Sequence, residues 1–410
     1  MALSKEILFL GGARTPFAEY EGGKNGRGEP GGRLKHLTAN DLGAHAARAA
    51  LERSGVAPAH VDHAVFGNAL QTSADAIYGA RHVALKAGVP IQVPAVTVNR
   101  ICGSGIQAAI TSSLLMLAGD SEVVLAGGME SMSQAPHVIR GLRGGLKLGQ
   151  GALEDLLMAS LMDPYCGCYM ANTSDNLARE HGISREAQDE YALLSQQRAA
   201  RARERGVFKD EIAPIEIKER KGLVLFDEDD HAKPDTTLEG LAKLPTAFGK
   251  DGFVTAGNAS GIVDGGAAVV MATREGAARA TGAAGAKPLG RVVSWGIAGV
   301  EPRIMGIGPV PAIRIALERA GLALRDVDLF EINEAFAGQY LAVEKELGLD
   351  RERVNVNGGA IAIGHPLGAT GTRLILTLLL ELRRRKARRG IASACIGGGQ
   401  GIALLVEAVA

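Results

Sequence analysis

Two long apolar runs stand out along the chain. Ile106 to Leu117 carries neither Pro nor charge, and its length predicts a buried helix. Leu374 to Leu382 predicts a second one. Shorter apolar stretches read as strands: Ile7 to Leu10, Ala64-Val65-Phe66, Val123 to Gly128, Leu329-Phe330-Glu331-Ile332 and Ala392 to Gly399. Helices alternating with short apolar strands predict an α/β fold whose sheets are covered on both faces.

The pattern occurs twice. Leu51-Glu52-Arg53-Ser54-Gly55-Val56 returns as Leu317-Glu318-Arg319-Ala320-Gly321-Leu322, and Val61-Asp62 returns as Val327-Asp328. Each copy leads to a strand, then to a Gly-rich turn entering a long apolar helix, then to a strand ending in glycines. This predicts two related halves packed together, with a site at their junction. Between them, about Met132 to Ser260, the chain is richer in charge and reads as an inserted lid or binding unit. Arg179 to Glu190 and Arg198 to Arg205 are expected to be solvent-facing helices. The charge runs Lys218 to Gly222 and Asp227 to Asp230 are expected to be solvated turns. Glu21 to Arg33 reads as a Gly-rich mobile loop. The basic cluster Arg383 to Arg389 falls where a helix ends, where cations are favoured.

With 410 residues the chain exceeds the size of a single core, which agrees with that division. Its 45 acidic and 45 basic residues balance, so it lacks the basic excess that nucleic acid or a membrane surface would require. Four cysteines give no disulfide framework. The N-terminal apolar run, Ile7 to Leu10, is too short for a signal peptide. No run approaches the roughly 18 apolar residues of a membrane helix. A cytoplasmic protein is the resulting expectation.

Candidate chemistry lies at the Gly-rich turns. In Asn99-Arg100-Ile101-Cys102-Gly103-Ser104-Gly105 a thiol stands at the start of the first apolar helix. The helix N-terminus is expected to favour the thiolate, and Gly103 and Gly105 to admit a substrate closely. His365 lies between Gly364 and Pro366, before the second apolar helix. Cys395 precedes Ile396-Gly397-Gly398-Gly399. A Cys with a distant His is a nucleophile–base pattern. The C-x-C pair Cys166 and Cys168 has too few ligands for a structural zinc, so no metal is expected.

Taken together, these motifs resemble the thiolase family. The pieces are Ala13-Arg14-Thr15-Pro16-Phe17, Val98 to Gly105, Gly127-Gly128-Met129-Glu130-Ser131-Met132, Ala256 to Gly261, Asn333-Glu334-Ala335-Phe336, Gly364 to Gly371 and Cys395 to Gly399. The resemblance implies a layered thiolase-like α/β fold of two related halves with mixed sheets and buried helices. The halves would be residues 1–131, with 261–289 returning to them, and 290–410. Residues 132–260 would form an inserted loop domain that binds coenzyme A. The implied activity is thiolysis of a 3-oxoacyl-CoA to acetyl-CoA and a shortened acyl-CoA, or the reverse condensation.

By the same resemblance, Cys102 is the nucleophile, His365 its base and Cys395 the acid–base for the enolate. Asn333, through a water, and the Cys102 and Gly397 N–H groups would serve oxyanions. Ser260, Ala256, Gly257 and Lys233 would contact coenzyme A, with Leu161, Met170, Phe248 and Phe336 forming the acyl pocket. Coenzyme A would be a substrate and not a resident cofactor, and the family implies a homodimer or homotetramer. Tyr169 stands where short-chain acetoacetyl-CoA enzymes usually carry His, and Ala171 where Gly is common. This leans toward a broader 3-oxoacyl-CoA thiolase. Strict acetoacetyl-CoA specificity and a catalytically silent acyl-CoA-binding relative are the alternatives. Carrier-protein-dependent condensing enzymes generally lack a second catalytic Cys, so Cys395 argues against them.

Overall fold

β-Branched and small apolar residues dominate the central strands, and both of their faces are buried. The structure, a computed structural model, describes residues 3–20, 31–219, 222–282, 285 and 287–409. Nine strands form its principal path. They are β1 (Ile7–Arg14), β2 (His63–Gly67), β3 (Ala95–Val98), β4 (Val123–Glu130), β5 (Val263–Thr273), β6 (Gly290–Gly299), β7 (Leu329–Ile332), β8 (Arg389–Ile396) and β9 (Gln400–Ala408). The main helices are α1 (Ala39–Ser54), α2 (Ser104–Ala118), α3 (Met170–His181), α4 (Arg185–Glu204), α5 (Pro309–Ala320), α6 (Ala337–Leu347) and α7 (Leu367–Arg385).

The strand order is β7-β8-β9-β6-β1-β5-β4-β2-β3. The β7/β8 and β2/β4 pairs are parallel, while β8/β9, β9/β6, β4/β5 and β5/β1 are antiparallel. The two half-sheets are therefore built alike. They join where β1 meets β6, through Leu8↔Arg291 and Phe9↔Gly290. The repeat seen in sequence has a structural counterpart at each copy. Gly55 and Gly321 end α1 and α5 in the left-handed conformation. Asp62 accepts the Glu122 and Val123 N–H groups, as Asp328 accepts those of Arg388 and Arg389.

Alternation along each strand decides which core a side chain enters. Ile7 and Phe9 join the same central core as Leu374, Ile375 and Leu404, while Leu8 and Leu10 join the outer core under α1. The second half has its own outer core, where Val310 and Ile313 of α5 pack with Leu405 of β9. The result is five layers, with α2 and α7 in the middle. These helices touch backbone to backbone. A Cβ on Gly105 would lie 2.4 Å from the Thr372 nitrogen, and one on Gly371 would lie 2.3 Å from the Ile106 nitrogen.

Several expectations change here. The second apolar helix begins at Leu367, not near Leu374, so most of the Gly-rich stretch after His365 is helical. Its glycines serve packing: a Cβ on Gly368 would lie 2.4 Å from the Met129 carbonyl oxygen. Gly105 likewise packs against α7 and does not line a substrate path. Ile101–Ala118 is, by length and composition, apolar enough to cross a membrane, contrary to the sequence reading, although much of it is buried inside the protein.

Residues 132–260 are tied down by charges expected to be solvated. Arg14 is fully buried and holds Asp229 through both oxygens at 2.7 and 2.8 Å and Glu211 at 2.8 Å. Arg198, on α4, is buried and donates to the Val354 carbonyl at 2.8 Å. Gln188 and Asp189 of α4 are buried too. The basic cluster does close α7, where Arg384 and Arg385 pair with Glu381. Of the loop from Glu21 to Arg33, residues 21–30 lie outside the described residues, as do residues 220–221 of the charge run.

Candidate active site

Cys102 lies in a single 3₁₀ turn, Ile101–Gly103, that feeds α2. Ile101 adopts φ +46°, a conformation that is costly for a β-branched residue and that clusters at functional sites. Neighbouring bonds hold it there. Asn99 Oδ1 accepts the Ile101 N–H at 2.9 Å, and Ser104 Oγ accepts the Arg100 N–H at 2.8 Å. The Arg100 guanidinium reaches across to Gln400 at 2.7 Å, linking the turn to β9.

The thiol is not poised as a thiolate. Burial pushes it up to about 12, and the nearby Glu130 carboxylate adds to this. The Gly397 and Cys102 N–H groups pull the other way. Desolvation thus outweighs the helix N-terminus that was expected to lower it. Both N–H groups nonetheless lie near enough to the sulfur to favour its charge, and negative charge on an oxygen of the carbon bonded to that sulfur would lie beside them.

His365 is buried, and its ring is fixed on both sides. Gly364 before it takes φ +92° with no room for a side chain, a Cβ there lying 2.3 Å from Val263. The His365 N–H donates to the Gly261 carbonyl at 3.0 Å. Nδ1 is 2.6 Å from Thr370 Oγ1, and that hydroxyl donates to the Pro366 carbonyl at 3.0 Å. With its single proton committed, the hydroxyl accepts from Nδ1–H, which leaves the Nε2 lone pair available. Burial first, then the Arg373 cation, lower the imidazolium to about 3, so the ring is neutral. Asn333 Nδ2 lies 3.3 Å from Nε2, and Asn333 Oδ1 is buried without a protein partner among the described residues.

The neutral states of the Cys102 thiol and the His365 imidazole have a testable consequence. Carboxamidomethylation of Cys102 in the substrate-free protein is expected to accelerate about tenfold per pH unit from pH 7 to 10, since the thiolate fraction rises throughout that range. A rate that levels off below pH 8 would show a preformed thiolate–imidazolium pair. Thr370→Val removes the Nδ1 anchor. It is expected to lower kcat by about 10- to 100-fold with little change in KM, while Thr370→Ser retains activity. Steady-state kinetics of the two variants check this.

Cys395 is fully buried on β8, paired with Gly401 of β9. Burial and the neighbouring Cys102 raise its thiol well above the ordinary range, which places the two sulfurs within electrostatic reach. Met305, Ala335, Met170 and Phe336 pack around Cys395. Cys102 packs with Leu367 and Ile262, which flank His365 and its Gly261 partner. Asn333 joins through its N–H to Ser393, one strand over. Segments from both halves therefore converge on one place.

The remaining predicted residues spread outward from it. Ser260 donates its N–H to Ala335 at 3.0 Å, and Ala259 bridges Phe336. The segment 256–261 thus runs from the Asn333–Phe336 stretch to His365. Ala256 is exposed, and Gly257 lies against Leu241 and Leu244. Met170 donates to the Leu161 carbonyl at 2.9 Å, and Phe248 packs its ring 5.1 Å from Tyr169. Lys233 is ion-paired to Glu19 at 2.6 Å with about half of its side chain exposed.

Two carboxylates were not singled out by the sequence reasoning except as parts of motifs. Glu130 is buried and accepts N–H groups from Ala69, Leu70 and Gly368 and the Asn68 amide, at 2.8–3.1 Å. It caps α7 from the opposite half, and burial raises it to about 7. Glu334 accepts Tyr191 and Ser195 hydroxyls, both at 2.7 Å, and fixes the segment before His365. Each is an acid within or beside an apolar strand, and that was the available signal.

A family model for the thiolase N-terminal domain matches residues 11–275, and one for the thiolase C-terminal domain matches residues 286–408. The chain belongs to the thiolase family. It is 51% identical to human mitochondrial 3-ketoacyl-CoA thiolase over 100% of both sequences. It is 49% identical to an acetyl-CoA acetyltransferase of Cupriavidus necator, over 98% of this chain and 99% of that one. A crystal structure of the human mitochondrial enzyme in complex with CoA superposes with a TM-score of 0.94 and full coverage of both chains. The mitochondrial relatives overturn the cytoplasmic expectation. Low cysteine usage separates reducing from oxidising compartments, not one reducing compartment from another.

Proposed function

We propose that the chain catalyses reversible thiolysis of 3-oxoacyl-CoA through an acyl-Cys102 intermediate, with the residues above in separate roles. Cys102 Sγ attacks the 3-keto carbon as its proton passes to His365 Nε2. The C2–C3 bond breaks, and its electron pair becomes the enolate of acetyl-CoA. Cys395 protonates that enolate, and the proton on His365 restores Cys395. The thiol of a second CoA then attacks the thioester, its proton passing through His365 to Cys102 as acyl-CoA leaves. The Cys102 and Gly397 N–H groups face the oxyanion formed on the acyl carbon. Nε2 and Asn333 face the enolate oxygen.

The observation that carries this reading is the convergence of two thiols, a neutral imidazole and two nearby N–H groups from distant segments. Residues 132–260 are assigned as the inserted unit that receives CoA, with Ser260, Ala256 and Gly257 along the pantetheine and Lys233 toward the nucleotide end. Leu161, Met170, Phe248 and Phe336 shape the acyl pocket. The Tyr169–Phe248 contact supports a preference broader than acetoacetyl-CoA. Thiolysis of a graded series of 3-oxoacyl-CoA substrates, ranked by kcat/KM, tests it. Turnover confined to acetoacetyl-CoA would favour the strictly short-chain reading.

The chain is also assigned as a homo-oligomer. β3 is a terminal strand with Val96 exposed, and Ile77, Tyr78, Ile91 and Ile101 are exposed as well. The hairpin His137–Ile139/Leu153–Asp155 carries a second set, with Leu142, Leu146, Leu148 and Leu153 exposed. Light scattering is expected to give two or four times the chain mass of 42.6 kDa, and a monomer mass would overturn this assignment.

A further inference from the structure

Cys166 and Cys168 take no part in the chemistry above. They occupy the tight hairpin Met162–Asp163/Cys168–Tyr169, separated only by Gly167. The Gly167 N–H donates to the Asp163 carbonyl at 2.9 Å, and Gly167 adopts φ +67°. Both thiols fold back onto this turn. Cys166 Sγ is 4.0 Å from the Asp163 carbonyl oxygen, and Cys168 Sγ donates to the Cys166 carbonyl at 3.5 Å. Both are half-buried, which leaves them open to a small oxidant. Burial and the adjoining Cys168 thiol hold the Cys166 thiol above its ordinary range, so the two groups sense each other.

The hairpin is coupled to the acyl pocket through its second strand. Tyr169 follows Cys168 directly and packs its ring, tilted, against Phe248. Met170 comes next and stands against Gly397, where an added Cβ would lie 3.2 Å from Met170 Sδ. A change in the turn is therefore transmitted over two residues to the face that borders Cys102 and Cys395.

We propose that Cys166 and Cys168 are a modification site: a dithiol that peroxide converts to an intramolecular disulfide, thereby resetting the acyl-pocket hairpin. Two S–H bonds break and one S–S bond forms. Two electrons and two protons pass to hydrogen peroxide, which becomes two waters. The intervening glycine, lacking Cβ, lets two Cα atoms so near in sequence reach disulfide geometry. A ring this small is strained, so its potential is high and a thiol such as glutathione reopens it. The bond then persists only while oxidant does.

The pocket coupling rests on the acyl-pocket assignment above, whereas the disulfide does not, and the experiment separates them. The full-length Cys102→Ser chain is treated with hydrogen peroxide and mapped under non-reducing conditions. A peptide spanning both cysteines is expected to be about 2 Da lighter, to resist alkylation, and to revert with dithiothreitol. Cys166→Ser abolishes that species. Two freely alkylated cysteines, an intermolecular dimer or sulfonic acids in its place would overturn the disulfide. In parallel, oxidised protein with Cys102 intact is expected to show a KM for a longer 3-oxoacyl-CoA altered about threefold or more, with no such shift in Cys166→Ser/Cys168→Ser. An unchanged KM with the bond formed would overturn the coupling.

Discussion

Replacing Cys102 with Ser is expected to lower kcat/KM for thiolysis of acetoacetyl-CoA, and of a longer 3-oxoacyl-CoA, by roughly 10³-fold or more. The size follows from the site's electrostatics. His365 is neutral and only weakly basic, its imidazolium being held near 3 by burial and Arg373. It assists a thiol whose proton is already hard to remove, and an alcohol is far less acidic still. The substitution should leave the fold intact, because the 3₁₀ turn is held by Asn99 and Ser104 and not by the thiol. Circular dichroism alongside the kinetics separates lost chemistry from lost structure. Wild-type turnover in the variant would remove Cys102 from the mechanism.

Cys395→Ala should divide the reaction. Incubation with acetyl-CoA is expected to load Cys102 as before, seen as an acetyl adduct by intact mass, because that half-reaction needs Cys102, His365 and the two N–H donors. Condensation is expected to fall by about 10³-fold or more, since Cys395 is the group proposed to take the α-proton. The cavity left by a buried sulfur costs about 1–2 kcal/mol, too little to unfold the protein. Condensation at the wild-type rate would reassign the proton transfer to another group.

Much of this arrangement was legible in the chain. The repeat at Leu51–Val56 and Leu317–Leu322 marked equivalent helix ends, and the runs at Ile106 and Leu374 marked the central helices. What escaped was set by contacts that sequence spacing does not encode. The start of α7 was misplaced because Gly368 and Gly371 look like loop residues, yet they are required where α7 meets β4 and α2 without room for a Cβ. Asp229 and Arg198 looked solvated because neighbouring charges usually are. Their partners Arg14 and Val354 are more than 150 residues away. The Cys102 thiol was misjudged for a related reason. A helix N-terminus is visible in a sequence, but the desolvation that outweighs it arises only when two halves close over the sulfur.

The junction at Leu8 and Phe9 has an implication for how the reagents are divided. The turn entering α2 carries Cys102, the proposed nucleophile, and its counterpart entering α7 carries His365, the proposed base. Equivalent positions of the two copies thus carry different reagents, an arrangement open to one continuous chain but not to a symmetric pair of identical subunits. A polypeptide severed between residues 275 and 286 would hold Cys102 in one fragment and His365 and Cys395 in the other, and each would expose the glycine seam of its central helix until the two recombined.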